Sequence, residues 1–184
     1  MSEVRDEELD AQREAVRRTA LAQIRQYGDA ALRLRARDVG EFDEDLERLV
    51  RRMKQLMVDA NGIGLAATQL GVLRRVLVFQ EDKEQEPVAL VNPAVVERSD
   101  ETSSDDEGCL SLQGVLVPVE RATAIAVEGK DETGADVRLE LEEPSARVVQ
   151  HEVDHLDGVL IIDRTTPEAR REALSVLRPR IALV

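Results

Sequence analysis

Residues 151–155 read His-Glu-Val-Asp-His, and the other 179 positions of the 184-residue chain hold no further histidine. No other stretch constrains the fold as tightly. On an α-helix, positions i and i+4 share one face with side chains roughly 5–6 Å apart. A helix over "ARVVQHEVDHLDG" therefore directs His151 and His155 at one point, where a metal ion can sit. Glu152 lies about 100° around the helix from His151. It is poorly placed to complete the same ligand set, yet it can reach a water held by the ion, the division of labour of His-Glu-x-x-His hydrolases. The competing reading is a pair of histidines satisfied within a core.

Two imidazoles need a third donor, and the single cysteine, Cys109 in "EGCLSL", is the soft candidate. A lone cysteine is most often a small buried hydrophobe. This one follows a long polar stretch and a Glu-Gly pair, and is expected to open into a strand, where a thiolate can face a helix. One cysteine with two histidines leaves a fourth position for water, the pattern of catalytic rather than structural sites. Cysteine and histidine ligands by themselves point first to zinc. A third stretch, "GIGLAATQ" (62–69), places Gly62 and Gly64 where a backbone can be approached closely. Gln69 there carries an amide able to donate to an oxyanion. A glycine-rich turn would explain the glycines but not Gln69. The stretch lacks the lysine and spacing of a phosphate-binding loop.

Apolar periodicity arranges the rest. Residues 3–27 read as an amphipathic or partly frayed leading helix and 27–36 as a turn-like connection. Leu46, Leu49, Val50, Met53, Leu56 and Met57 recur at helical spacing, capped by Asp43 and ended by Asn61-Gly62, which predicts a helix over 43–60. Short strands follow at 74–79, 88–93, 114–119, 123–129 and 135–142, with a hairpin turn at 130–134 and a polar loop at 97–108. Pro144 fits the first turn of the histidine helix, whose stripe is Ala146, Val149, Val153 and Leu156, with Gly158 as its terminating glycine. A last helix is expected at 167–178. Helix, strands, helix is an α+β order. The expected organisation is an N-terminal helical extension (1–22) and one catalytic domain (23–184).

A formal charge of −13 argues against a nucleic-acid binder, since phosphate repels it. Residues 164–184 depart from this, with five arginines against Glu168 and Glu172; they read as a solvated helix face or as a docking surface. The apolar runs are too short to span a bilayer. The charged N-terminus is no signal peptide and one cysteine allows no internal disulfide, so a cytoplasmic protein is expected.

In order and spacing, "GIGLAATQ", "EGCLS" and "QHEVDHLDG" resemble the three signature motifs of the peptide deformylases, over about Ile24 to Asp163. The resemblance implies an α+β fold with antiparallel strands packed around a central metal-binding helix. It implies removal of the N-formyl group from the initiator methionine of new bacterial polypeptides. Carried over, Cys109, His151 and His155 would bind one divalent ion, typically Fe2+, with Zn2+, Ni2+ or Co2+ able to replace it. Glu152 would be the general acid/base, while Gln69 and the Leu110 N–H would hold the developing oxyanion. Ile63, Gly64 and Gly108 would pair with the substrate backbone as an added strand. Gln150 and Asp154 would orient ligands, unless Asp154 lies on the helix surface. The partners implied are N-formylmethionyl nascent peptides; the basic C-terminal segment, by its charge, separately suggests docking on the ribosome. The chain departs from the family pattern at Ala30, at Leu112-Gln113-Gly114 and at "EEPSA", where Pro144 and Ser145 would border the methionine pocket. The alternatives are a His-Glu-x-x-His zinc peptidase or amidase, and a non-catalytic metal-stabilised peptide binder.

Overall fold

The computed structural model describes residues 2–82 and 85–177, with the backbone alone for residues 2–8. Helix α1 (Ser2–Leu21) leads into a 3-10 turn (Ala30–Arg33) and helix α2 (Glu44–Asp59). Asp43 caps α2 by accepting the Leu46 N–H at 2.9 Å, and Glu44, Asp45 and Glu47 complement the positive end of the helix dipole. Asn61, at φ 57°, reverses the chain at the far end. Helix α1 stops six residues short of the expected 27. The reason lies in the backbone hydrogen bonds of the following strap. Arg25 N–H donates to Gln69 O (2.7 Å) and Tyr27 N–H to Ser111 O (2.8 Å). The strap thereby ties the "GIGLAATQ" and "EGCLS" segments together instead of extending the helix.

Strands β1 (Gly64–Ala66), β2 (Val76–Phe79), β3 (Val88–Arg98), β6 (Ala124–Lys130) and β7 (Asp136–Glu142) form one antiparallel sheet in the order β1-β2-β3-β6-β7. Helix α2 covers one face and helix α3 (Ser145–Leu156) the other. The "VLVF" run of β2 shows why it carries no polar residue. Val76 and Val78 pack with Met53 and Met57 on the α2 side, while Leu77 and Phe79 pack with Val149 and Leu156 on the α3 side. A strand buried on both faces has no solvent side to give to polar residues.

Strands β4 (Thr102–Glu107) and β5 (Val117–Ala122) form a second, two-stranded antiparallel sheet. This corrects the loop expected at 97–108. A ladder is satisfied by backbone groups whatever the side chains, and β4 exposes most of its polar ones; Glu107 alone among them is buried. Cys109 consequently follows a strand rather than opening one, and β5 begins three residues later than expected. A third apolar cluster joins Val117 and Val119 to Leu160, Ile161, Ile162 and Ala173, the last on helix α4 (Pro167–Leu177). Gly158 takes φ 75° after α3, and a Cβ there would stand 2.7 Å from Arg33 O. Only glycine meets both demands.

Candidate metal centre

Helix α3 brings the two histidine rings to a centroid separation of 4.9 Å, inclined at 64°. Cys109, in the turn after β4, meets them: its Sγ lies 3.2 Å from His155 Nε2. The donor atoms of Cys109, His151 and His155 all fall within 4.8 Å of one another. A divalent cation fits this donor set, a thiol and two imidazoles that converge on one point while the neighbouring Glu152 keeps a buried carboxylate oxygen without a hydrogen-bond partner. Buried polar atoms are rarely left so. His155 Nδ1 is the other such atom among the described residues.

The surroundings of the sulfur are built from two motifs. Ser111 N–H points at Sγ from 3.4 Å, and the Gln69 amide nitrogen lies 3.8 Å away. Gln69 Oε1 accepts the Ala66 N–H at 2.8 Å, and its Nε2 donates to Ser111 Oγ at 3.1 Å. The Ala66 contact fixes the sense of the amide, turning its NH2 toward the cysteine. Gly64 is required for packing: a Cβ there would lie 2.9 Å from both Glu152 Cδ and Val148 Cγ1. Glycine at 64 lets β1 close directly over the carboxylate.

Glu152 is 4% exposed, and burial pushes its carboxyl up to about 7. His155 is held well below the ordinary imidazole range, first by burial and then by the neighbouring His151. His151 goes the other way: burial opposes its charge, but hydrogen bonds to Cys109 and Glu107 outweigh it.

A buried ionic assembly behind His151 was not legible as motif. Glu107 Oε2 lies 3.0 Å from His151 Nδ1. Arg121 grips both Glu107 oxygens, at 2.9 and 3.0 Å, and reaches Asp154 at 2.5 Å. Arg147 adds a contact to Glu107 at 2.9 Å. Burial alone would raise the Glu107 carboxyl; the bonds from His151 and Arg121 bring it down to about 2. The carboxylate that hydrogen-bonds the His151 ring is Glu107, and neither Gln150 nor Asp154, expected to orient ligands, makes that contact. Gln150 instead staples α3 to Ala122 N and O (3.3 and 3.0 Å), and Asp154 is taken by Arg121 and Arg164. One signal for Arg121 was present: it continues the inward period-2 register of Val117 and Val119 along β5, where a lone arginine implies a buried anion.

These groups stand at the base of a cleft of about 660 Å³ lined by Ile63, Gly64, Gln69, Gly108, Cys109, Leu110, His151 and Glu152, with Leu116 and Val148 in its apolar wall. His155 lies beneath, 1% exposed. The cleft therefore gathers the site residues of all three motifs. Strands β1 and β4 each end a sheet on its flanks. Ile63 and Leu116 remain 47% and 70% exposed there. Pro144 and Ser145 are elsewhere, lining a separate groove with Glu97 and Glu140. They do not border the cleft that holds the metal ligands, whose apolar lining includes Val148 and Leu116.

Antiparallel sheets around a helix that offers two imidazoles to a shared cysteine, with a buried carboxylate alongside, define a mononuclear metallohydrolase. A family model described as polypeptide deformylase matches residues 21–171. A peptide deformylase of Thermotoga maritima is 46% identical over 147 residues, 80% of this chain and 88% of that protein. One from Acidothermus cellulolyticus is 45% identical over 159 residues, 86% of this chain and 87% of the relative. Among solved structures, a peptide deformylase from Synechococcus elongatus in complex with actinonin superposes with a TM-score of 0.80 at 39% identity, covering 83% of this chain and 85% of that one. A Legionella pneumophila peptide deformylase gives 0.79 at 36%, covering 84% and 91%. The chain belongs to the peptide deformylase family.

Proposed function

We infer that the protein hydrolyses the formamide of N-terminal formylmethionine, releasing formate and a free amine. The observation that carries this is the convergence of Cys109, His151 and His155 beside the buried Glu152 in a cleft flanked by two edge strands. Those three residues would hold a divalent ion, which when bound supplies Lewis-acid polarisation and a water acidic enough to act as nucleophile near neutral pH.

The chain's own residues supply the rest. Glu152 takes the proton of the attacking water and returns it to the departing nitrogen, a role worth roughly 10²–10⁴-fold. In the chain without an ion, burial raises that carboxyl, the direction that lets it hold a proton and return it. The Gln69 amide, fixed by Ala66, and the Leu110 N–H stabilise the negative charge on the formyl oxygen. Ile63, Gly64 and Gly108 bind the substrate backbone along the strand edges, and Leu116 and Val148 receive the methionine side chain. Glu107 holds the His151 ring at the angle the site needs. The proposed metal is Fe2+, with Zn2+, Ni2+ or Co2+ as substitutes. Residues 1–22 are proposed as an extension of a catalytic domain spanning 23–184.

Formate release from formyl-Met-Ala-Ser, measured beside cleavage of the same peptide without the formyl group, separates this reading from a peptidase. Anaerobic purification with elemental analysis identifies the ion; stoichiometric metal without turnover would instead support a non-catalytic binder. Among the described residues no helix is long and apolar enough to cross a membrane, and we place the protein in the cytoplasm. Ribosome docking through the basic C-terminal segment is proposed on charge. Arg170 and Arg171 there pair with Asp163 and Glu168, while Arg178 and Arg180 lie outside the described residues. Co-sedimentation with ribosomes that survives charge reversal at Arg170 and Arg171 would count against that docking.

A further inference from the structure

The cleft has one wall that the family motifs do not supply. Helix α1 lies almost wholly outside the residues matched by the family model, yet its Arg17 and Leu21 line the metal cleft together with Asn61, Gly62 and Ile63. The two residues are four apart, so they share a helix face. Ala20 and Leu21 are buried in the core with α2, at 2% and 7% exposure. That anchor fixes the end of the helix and with it the position of Arg17, one turn back.

The order of residues along the wall runs outward from the chemistry. Gly64 abuts Glu152 and Gly62 stands by Leu110. Asn61 and Arg17 then line the cleft and also a second hollow, shared with Asp10, Arg13 and Asp59. A peptide extended along the β1 edge from its formyl end leaves the metal centre in that direction.

Charge makes Arg17 distinctive. The other cation lining the cleft, Arg147, is consumed by contacts to Glu107, Glu143 and Ser103. Among the described residues Arg17 has a single ion-pair contact, to Glu14 at 3.6 Å, longer than a hydrogen bond, and its side chain is 43% exposed. In a chain of charge −13, a guanidinium this weakly engaged at the mouth of a substrate cleft is positioned to read the substrate.

We propose that Arg17 is a specificity-determining residue: it favours formylated peptides that carry an acidic side chain downstream of the methionine and its neighbour. This rests on the deformylase reading. A half-exposed ion pair contributes roughly 0.2–1 kcal/mol, so the expected preference is about 1.4- to 5-fold and falls as salt rises.

The test measures kcat/KM for formyl-Met-Ala-Glu-Ser, formyl-Met-Ala-Gln-Ser and formyl-Met-Ala-Lys-Ser amides with the metal-loaded full chain at low and high salt. The wild type is expected to prefer Glu over Lys, mainly through KM. Arg17→Ala is expected to flatten the ratio, Arg17→Glu to invert it, Arg17→Lys to retain it, and Glu14→Gln to sharpen it. Unequal rates that ignore Arg17 substitution, or equal rates in the wild type, overturn the proposal. Failure of all three peptides to release formate would instead refute the deformylase reading.

Discussion

Glu152 is the residue on which activity and stability pull apart. Its carboxyl is buried, lacks a partner at Oε2 among the described residues and is pushed up to about 7, against about 4.3 in an unfolded chain. The raised value means the fold favours the neutral form. That stability is fully present below about pH 4 and is lost as pH climbs through 7. In metal-free protein, Glu152→Gln is therefore expected to be more stable than wild type at pH 8, by on the order of 3 kcal/mol, and equal to it at pH 4. Urea titrations at the two pH values check this; equal stability at pH 8 would mean the carboxylate is better solvated than its surroundings indicate. Glu107 has the opposite sign. Its hydrogen bonds hold it near 2, so its contribution is complete above about pH 5 and disappears as pH falls toward 2. Glu107→Gln is expected to flatten that acid limb and to loosen metal binding by about 10–100-fold, measured by chelator competition. Unchanged metal affinity would show that His151 is oriented without Glu107.

Among the elements, β1 and α3 form the tightest contact of the site, and Gly64 permits it. Gly64→Ala places a methyl against Glu152 and Val148. Activity is expected to fall at least 10²-fold while the helical circular dichroism is retained, because displacement of a catalytic group by about 1 Å has that cost. Full activity in this variant would mean that β1 and α3 separate freely. Helix α3 was legible from the histidine spacing, and α2 from its apolar repeat and cap. Strand β4 was not. Its register is set by β5 and by Arg147 reaching across to Ser103 and Asp105, and no apolar alternation announces it. The strap after α1 escaped notice for a similar reason: its hydrogen bonds go to Gln69 and Ser111, both more than forty residues away in sequence. Local pattern reports which face is buried. It cannot report a long-range backbone partner.

At the scale of the molecule, three segments separated by dozens of residues converge because the large sheet is covered on one face by α2 and on the other by α3. The ligand residues were readable from their types and spacing, since few side chains serve a divalent ion. The ionic assembly that supports them was only hinted at: the register of β5 turns Arg121 inward, but its partners Glu107 and Asp154 come from β4 and α3, which no local pattern of β5 names. Fold and site together reduce to one arrangement: a sulfur and two imidazoles able to share an ion, with a carboxylate that works on protons and not as a ligand. The most direct measurement is metal content and formate release side by side in wild type and Glu152→Gln, loaded with Fe2+ under anaerobic conditions. One equivalent of metal in both proteins, with turnover of the variant reduced by roughly 10²–10⁴-fold, is the expected result. Loss of the metal with Glu152, or turnover that persists without it, would contradict this assignment.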